Sequence, residues 1–282
     1  MHMSHEVMVK KASGVLEPFS PEKLRRSLEK SGADQILADE IVEHISDQLY
    51  NGVPTSEIHD RAFVMLKSHR SSFAARYNVK QAIFALGPSG FAFEQFVGRL
   101  FNHMGYETEI GVSVRGKCVQ HEVDVVLTKG ALRGYAECKF HNLPGLRCGV
   151  KTPLYVFGRF EDICRQDGIS FESREREGWL VTNTRFTDDA LAYGSCVGLK
   201  MLGWNTGPLG ESIERLIDVR KLHPITCLTS LSAEEKRQLL TDGIILCVDL
   251  LVDGADWKAY FSKETLAKVL VEARELCGHD VI

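Results

Sequence analysis

The sequence predicts an α/β protein of several domains. A mostly helical N-terminal unit carries a β-hairpin and about four helices, a central α/β domain holds a small mixed sheet, and a mostly helical C-terminal region follows. Three observations carry this prediction. Apolar residues keep helical spacing through much of 21–86. Near residue 120 the hydrophobic period shortens to an alternation, after which helix and strand signals interleave. Between these patterns lies Gly87-Pro88-Ser89-Gly90, whose two glycines and proline no helix carries cheaply. With 282 residues, 44% hydrophobic and 26% charged, the chain is long enough for two or three cores.

The elements follow in order. Extended stretches over 6–11 and 15–19, joined by Ser13-Gly14, read as a hairpin. Ser20-Pro21-Glu22-Lys23 has the order of a helix start: serine at the N-cap, proline at the first helical position, an acid in the first turn. Leu24, Leu28, Ile41, Ile45 and Leu49 hold helical spacing through two helices. Thr55-Ser56-Glu57-Ile58 reads as the cap of a third, and a fourth is expected over 73–86. Beyond the boundary a helix is expected over 91–104, then strands over 123–127 and 135–140 separated by Lys129-Gly130. A helix over 154–167, a buried strand over 179–183, a helix over 188–199 and a strand over 200–203 complete the central unit. The 203–210 segment with Trp204 reads as a surface loop, and helices are expected over 233–240 and 263–276. The units are 1–86, 90–217 and 218–282.

Composition excludes several classes. The longest apolar runs, such as 244–248, fall far short of the ~20 residues a membrane helix needs. The eight cysteines form no CxxC pair, so scattered thiols in a reducing cytoplasm are expected rather than a closed zinc site. With no secretory leader evident, the protein is expected to be cytoplasmic and to avoid membranes. Formal charge is balanced over 1–86, +2 over 87–166 and −6 over 167–282. A nucleic-acid surface would therefore lie in the middle third, where Arg115, Lys117, Lys139, Arg147, Arg159 and Arg165 fall; a solvated face of mixed charge is the plainer alternative.

Strand alternation brings chemistry together in the central unit. Glu137 and Lys139 share one face of their strand, Asp124 is expected opposite Val123 and Val125 on the strand before, and Glu122 is expected as a solvent residue. Acids crowded on adjacent strands repel unless a cation joins them. Acid-x-Lys occurs three times in the chain, but only Glu137-Cys138-Lys139 follows an apolar strand with an acid 13 residues upstream and a helix bearing Glu94 before that. His121 and His141 flank the group.

Phe93-Glu94, Gly105-Tyr106, His121-Glu122-Val123-Asp124-Val125-Val126, Glu137-Cys138-Lys139-Phe140-His141 and Gly178-Trp179-Leu180-Val181-Thr182-Asn183 together resemble the PD-(D/E)xK nucleases, most closely the Mrr-type restriction endonuclease domain. The position before Asp124 is Val123 where much of that superfamily has proline. The resemblance implies Asp124 and Glu137 as ligands of Mg²⁺ or Mn²⁺ with the Cys138 carbonyl, Lys139 as the catalytic lysine and Glu94 as an auxiliary acid.

In the first unit, two lysines beside a turn and a third at a helix start suit a triphosphate, and Thr55 and His59 lie one helical turn apart. Val9-Lys10-Lys11-Ala12-Ser13-Gly14, Glu17-Pro18-Phe19, Lys23, Thr55-Ser56-Glu57-Ile58-His59 and Ala74-Ala75-Arg76-Tyr77 resemble an ATP-cone, with Ala12-Ser13 replacing the usual acid of its turn. That resemblance implies Lys10, Lys11, Lys23, Thr55 and His59 as contacts to ATP or dATP, with Glu17 reading base or ribose. The expected protein is thus a nucleotide-responsive, metal-dependent DNA endonuclease, expected as a homo-oligomer. A DNA-binding regulator that does not cut and a nucleotide-controlled assembly protein stay open as alternatives.

Overall fold

The computed structural model describes residues 7–171, 173, 175–252 and 256–278; Glu6, the first residue of the expected hairpin, lies outside them. β1 (Met8–Lys10) pairs antiparallel with β2 (Leu16–Pro18), as the hairpin reading requires. In α1 (Pro21–Lys30) the Ser20 side chain accepts from Lys23 N, and α2 (Gln35–Ser46) follows. β3 (Val53–Pro54) adds parallel to β1, a two-residue strand too short to carry a sequence period. Thr55 is the first residue of α3 (Thr55–His69) rather than its cap; Pro54 holds that place with no side-chain hydrogen bond. The expected fourth helix is two: α4 (Ser71–Tyr77) and α5 (Val79–Phe84), divided where Asn78 leaves helical geometry at φ −91 and ψ 5. Leu28, Ile41, Ile45, Val53, Ala62 and Leu66 form the core of this unit.

α6 (Phe91–His103) starts after Gly90, whose φ of +84 suits glycine. Strand β4 (Glu107–Arg115) was not expected, although Thr108, Ile110, Val112 and Val114 alternate with exposed residues along it; it lies at the sheet edge, with no residue fully buried. β5 (Gln120–Lys129), β6 (Leu132–Lys139), β7 (Arg147–Cys148), α7 (Lys151–Gln166), β8 (Arg176–Thr182), β9 (Arg185–Phe186), α8 (Asp188–Cys196) and β10 (Lys200–Leu202) follow. The five-stranded sheet runs β10-β8-β6-β5-β4, antiparallel among β4, β5 and β6 and parallel among β6, β8 and β10. Phe93, Phe96 and Leu100 of α6 pack on Val125, Leu127 and Trp179 on one face. Val156, Phe160 and Ile163 of α7 pack on Val126, Tyr135 and Leu180 on the other. Trp204, expected in a surface loop, is 7% exposed and belongs to the first of these cores together with Ile213 and Leu216 of α9 (Ile213–Arg220).

The last region holds α10 (Ala233–Thr241) and α11 (Lys263–Cys277), near their expected bounds. It bridges the other two units. Ile225, Leu228, Leu239 and Leu276 share a core with Ala75 and Ala82 of the first unit, while Leu222 and Ile245 enter the core under α6. Thr226 Oγ1 donates to Ala82 O at 2.7 Å, and Arg70 pairs with Glu275 at 2.8 Å. All eight cysteines are free thiols. No helix among the described residues is long and apolar enough to cross a membrane.

His223 sits at this junction, 2% exposed, with no hydrogen-bond partner for Nδ1. Burial, reinforced by Arg76 and Lys221, pushes its imidazolium down from 6.5 to about 4. A depressed histidine contributes stability that is whole above the unfolded value and is lost as pH falls through the folded one. The protein is expected to lose up to ~3 kcal/mol between these limits, at 1.36 kcal/mol per unit. Urea midpoints recorded from pH 7 to pH 4 should show this loss and show less of it in His223→Gln; equal slopes would mean other groups carry it.

Candidate active site

Asp124 and Glu137 come together because β5 and β6 are neighbours whose paired residues end at Val125 and Ala136. One residue further on, each strand presents its acid. Cys138 N donates to Asp124 Oδ2 at 2.6 Å, which ties the two strands by a side chain where the ladder stops. Simple alternation does not describe Asp124. Val125 packs under α6, whereas Val123, two residues away, packs under α7, so the side-chain faces exchange at Asp124. The residue facing Asp124 across the hairpin is Gly111, with φ +64, and this position is missing from an otherwise continuous β4–β5 register. Glu122, expected as a solvent residue, is exposed and stands near enough to raise both Asp124 and Glu94.

The electrostatics are those of crowded carboxylates. Burial first, then Asp124 and Glu122, pushes Glu94 up to about 7. Burial and Asp124 likewise push Glu137 up to about 7, although Arg159 Nη1 donates to its Oε2 at 2.5 Å. Asp124 is raised by burial against the pull of the Cys138 N–H and Arg159. Asp124 thus raises both Glu94 and Glu137, and this crowding of hard carboxylate oxygens is one that a hard divalent cation would relieve. Among the described residues no three His, Cys, Asp or Glu side chains are grouped to hold a metal unaided, so the Asp124–Glu137 pair with a main-chain carbonyl is the smaller set on offer. Lys139, exposed at the end of β6, lies near Glu137 and has no acidic partner of its own within ion-pair distance among the described residues.

Sequence reasoning missed three residues that position this group. Arg159 of α7 reaches back to Glu137 and to the Glu122 carbonyl, a contact only the packed helix reveals. Thr182 Oγ1 donates to Lys139 O at 2.7 Å. Asn183, fully buried, clamps His141 by accepting from its N–H at 2.8 Å and donating to its carbonyl at 2.9 Å. The Thr182-Asn183 pair was visible as the end of a buried strand, but not what it held. His121 is drawn to Asp162 at 2.8 Å, which also accepts from Cys118 N and Val119 N, so it braces the β4–β5 turn against α7.

In the first unit Glu17 gathers the lysines: Lys11 at 2.5 Å and Lys23 at 3.9 Å, the former holding Glu17 below the usual carboxylate range. Lys11 and Thr55 line a cavity of about 520 Å³. His59 stacks on Tyr77 with ring centroids 4.8 Å apart and lines an adjoining cavity of about 250 Å³. The two residues expected on one face of a site thus open into neighbouring spaces, which share Lys80 and Trp204 as walls. Lys10 and Lys23 line neither.

The fold and these clusters define an ATP-cone joined to a restriction-endonuclease-type domain. Family models for the ATP cone domain match residues 7–81, for the restriction endonuclease 87–201, and for the AF1548-like C-terminal region 223–277. A protein of uncharacterized function from Archaeoglobus fulgidus is 34% identical over 184 residues, covering 64% of this chain and all of the relative. The crystal structure of AF1548, a protein of unknown function, is 34% identical with a TM-score of 0.54 over 67% of this chain and 99% of that one. The chain belongs to the AF1548-like family. A fainter likeness joins it to the MspJI restriction endonuclease in complex with a 27-mer oligonucleotide, at 14% identity and TM-score 0.37 over 70% of this chain and 39% of that one.

Proposed function

We propose that the chain is a nucleotide-responsive DNA endonuclease. Its units are a nucleotide sensor over 1–86, a nuclease over 90–217 and a bridging helical region over 218–282. One observation carries this reading: half-buried Glu137 is raised by the neighbouring Asp124, beside a lysine that has no ion-pair partner among the described residues, on a restriction-endonuclease-type domain. Asp124, Glu137 and the Cys138 carbonyl would hold Mg²⁺ or Mn²⁺. When bound, such a cation polarises the phosphodiester and lowers the pKa of water. Lys139 orients the attacking water and balances charge growing on the phosphate oxygens. In-line attack breaks the P–O3′ bond and leaves a 5′-phosphate, while Glu94, half-buried and titrating near neutrality, takes or returns a proton. Lys10, Lys11, Glu17, Lys23, Thr55 and His59 contact ATP or dATP, which regulates rather than fuels the reaction; the protein acts in the cytoplasm, as a homo-oligomer.

The second reading, a DNA-binding regulator that does not cut, draws support from Arg159, whose guanidinium already sits on Glu137. Incubation of plasmid and single-stranded DNA with Mg²⁺ or Mn²⁺, with and without ATP or dATP, tests both. Metal-dependent cutting is expected. Folded protein that binds DNA but leaves it intact in every condition would select the regulator.

A further inference from the structure

The cavity of about 520 Å³ lies between the first unit and the central domain, and its lining has a one-sided charge. Lys11, Lys80, Arg147 and Arg185 face it; among the described residues no aspartate or glutamate does. Lys11 is balanced by Glu17, but Arg147 and Arg185 have no acidic partner among the described residues. They are neighbours by construction, because β7 and β9 pair in parallel with Arg147 opposite Arg185. Lys80 is half-buried beside them, its ammonium lowered by burial and by Arg185, with Trp204 5.9 Å away. Arg147 and Arg185 held together, with Lys80 beside them and only Glu214 opposing that lysine's charge, are unfavourable unless an anion joins them. The size suits a small ligand, and Thr55 with the Ala12-Ser13 turn closes the wall on the first unit's side.

The cavity also touches the catalytic strand's continuation. Residues 141–146 run from Lys139 to Arg147, pinned at one end by Asn183. At the other end Gly145 stands beside the hairpin turn, where a Cβ would make ordinary van der Waals contact with Ser13 N at 3.8 Å. We infer that the polyphosphate of the nucleotide bound by the ATP-cone is clamped across the domain boundary by Arg147 and Arg185, together with Lys80, so that occupancy fixes the loop leaving the catalytic strand. The inference rests on the nucleotide-binding reading and adds to it two central-domain residues and a route of regulation.

Titration calorimetry of the full chain with ATP and AMP, comparing the parent with Arg147→Ala, Arg185→Ala and the double variant, tests it. Each lost guanidinium should weaken ATP binding about tenfold, as for a charge-assisted hydrogen bond, and AMP binding should change little. Both arginines are exposed, so melting temperatures should match the parent. Amide exchange over 141–147 should slow on ATP addition in the parent and not in the double variant. Undiminished ATP affinity in the double variant, or unchanged exchange in the parent despite binding, overturns the clamp and leaves the nucleotide reading standing. A parent that binds no ATP removes both. Variants that lose DNA affinity while keeping ATP would reassign the pair to the DNA backbone and overturn the clamp.

Discussion

Asp124→Asn is expected to lower metal-dependent cleavage on the order of 10³-fold, the several kcal/mol such a cation supplies to phosphoryl chemistry, while the metal-free protein stays at least as stable as its parent. The second half separates a catalytic acid from a structural one. Asparagine keeps an oxygen to accept the Cys138 N–H, so the tie between β5 and β6 survives. It removes the charge that raises Glu137 and Glu94. A carboxylate raised in the folded state contributes most stability below its unfolded pKa, and that contribution is lost as pH rises through the folded value. The metal-free parent should therefore weaken between pH 4.5 and about 7, and Asp124→Asn should weaken less. Lys139→Ala should lose cleavage with unaltered stability, since its ammonium is exposed. An Asp124→Asn protein that unfolds, or that cuts within tenfold of the parent, would remove Asp124 from the chemistry.

What was legible in the sequence was local. The order of apolar strands around Asp124 and Glu137 was enough to bring both acids to the ends of neighbouring strands, because β5 and β6 are adjacent in the chain and joined by a short turn. The cap at Ser20 and the glycine-proline boundary are likewise decided by a handful of residues. What escaped depends on packing between distant segments. Arg159 reaches Glu137 from 22 residues away, and Asn183 reaches His141 from 42, spacings that carry no period. Gly111 broke the alternation around Asp124 from the opposite strand, a place no count along β5 would inspect. Trp204 looked like loop chemistry because glycines surround it, yet its ring completes a core assembled from α6, β8 and α9.

Glu272→Ala should be the most damaging substitution outside the site, at about 3 kcal/mol, the range for removing a buried charged acceptor. Glu272 is 2% exposed, on α11. It accepts from Thr229 N at 2.8 Å, Ser230 N at 3.0 Å and Ser230 Oγ at 2.6 Å, so alanine strands three donors and leaves a void. Glutamine preserves the shape but turns one donor-facing oxygen into an amine, and should fall between parent and alanine. The damage has a functional direction. The same region holds Thr226 against Ala82 and Glu275 against Arg70, so it links the ATP-cone to the sheet that carries Asp124 and Glu137. Loosening it should leave cleavage by the central domain in place and weaken the effect of ATP on that cleavage, read as the ratio of rates with and without nucleotide. A Glu272→Ala protein with a lowered melting temperature and an unchanged ratio would place the coupling entirely in the direct contact between the hairpin turn and the loop after β6.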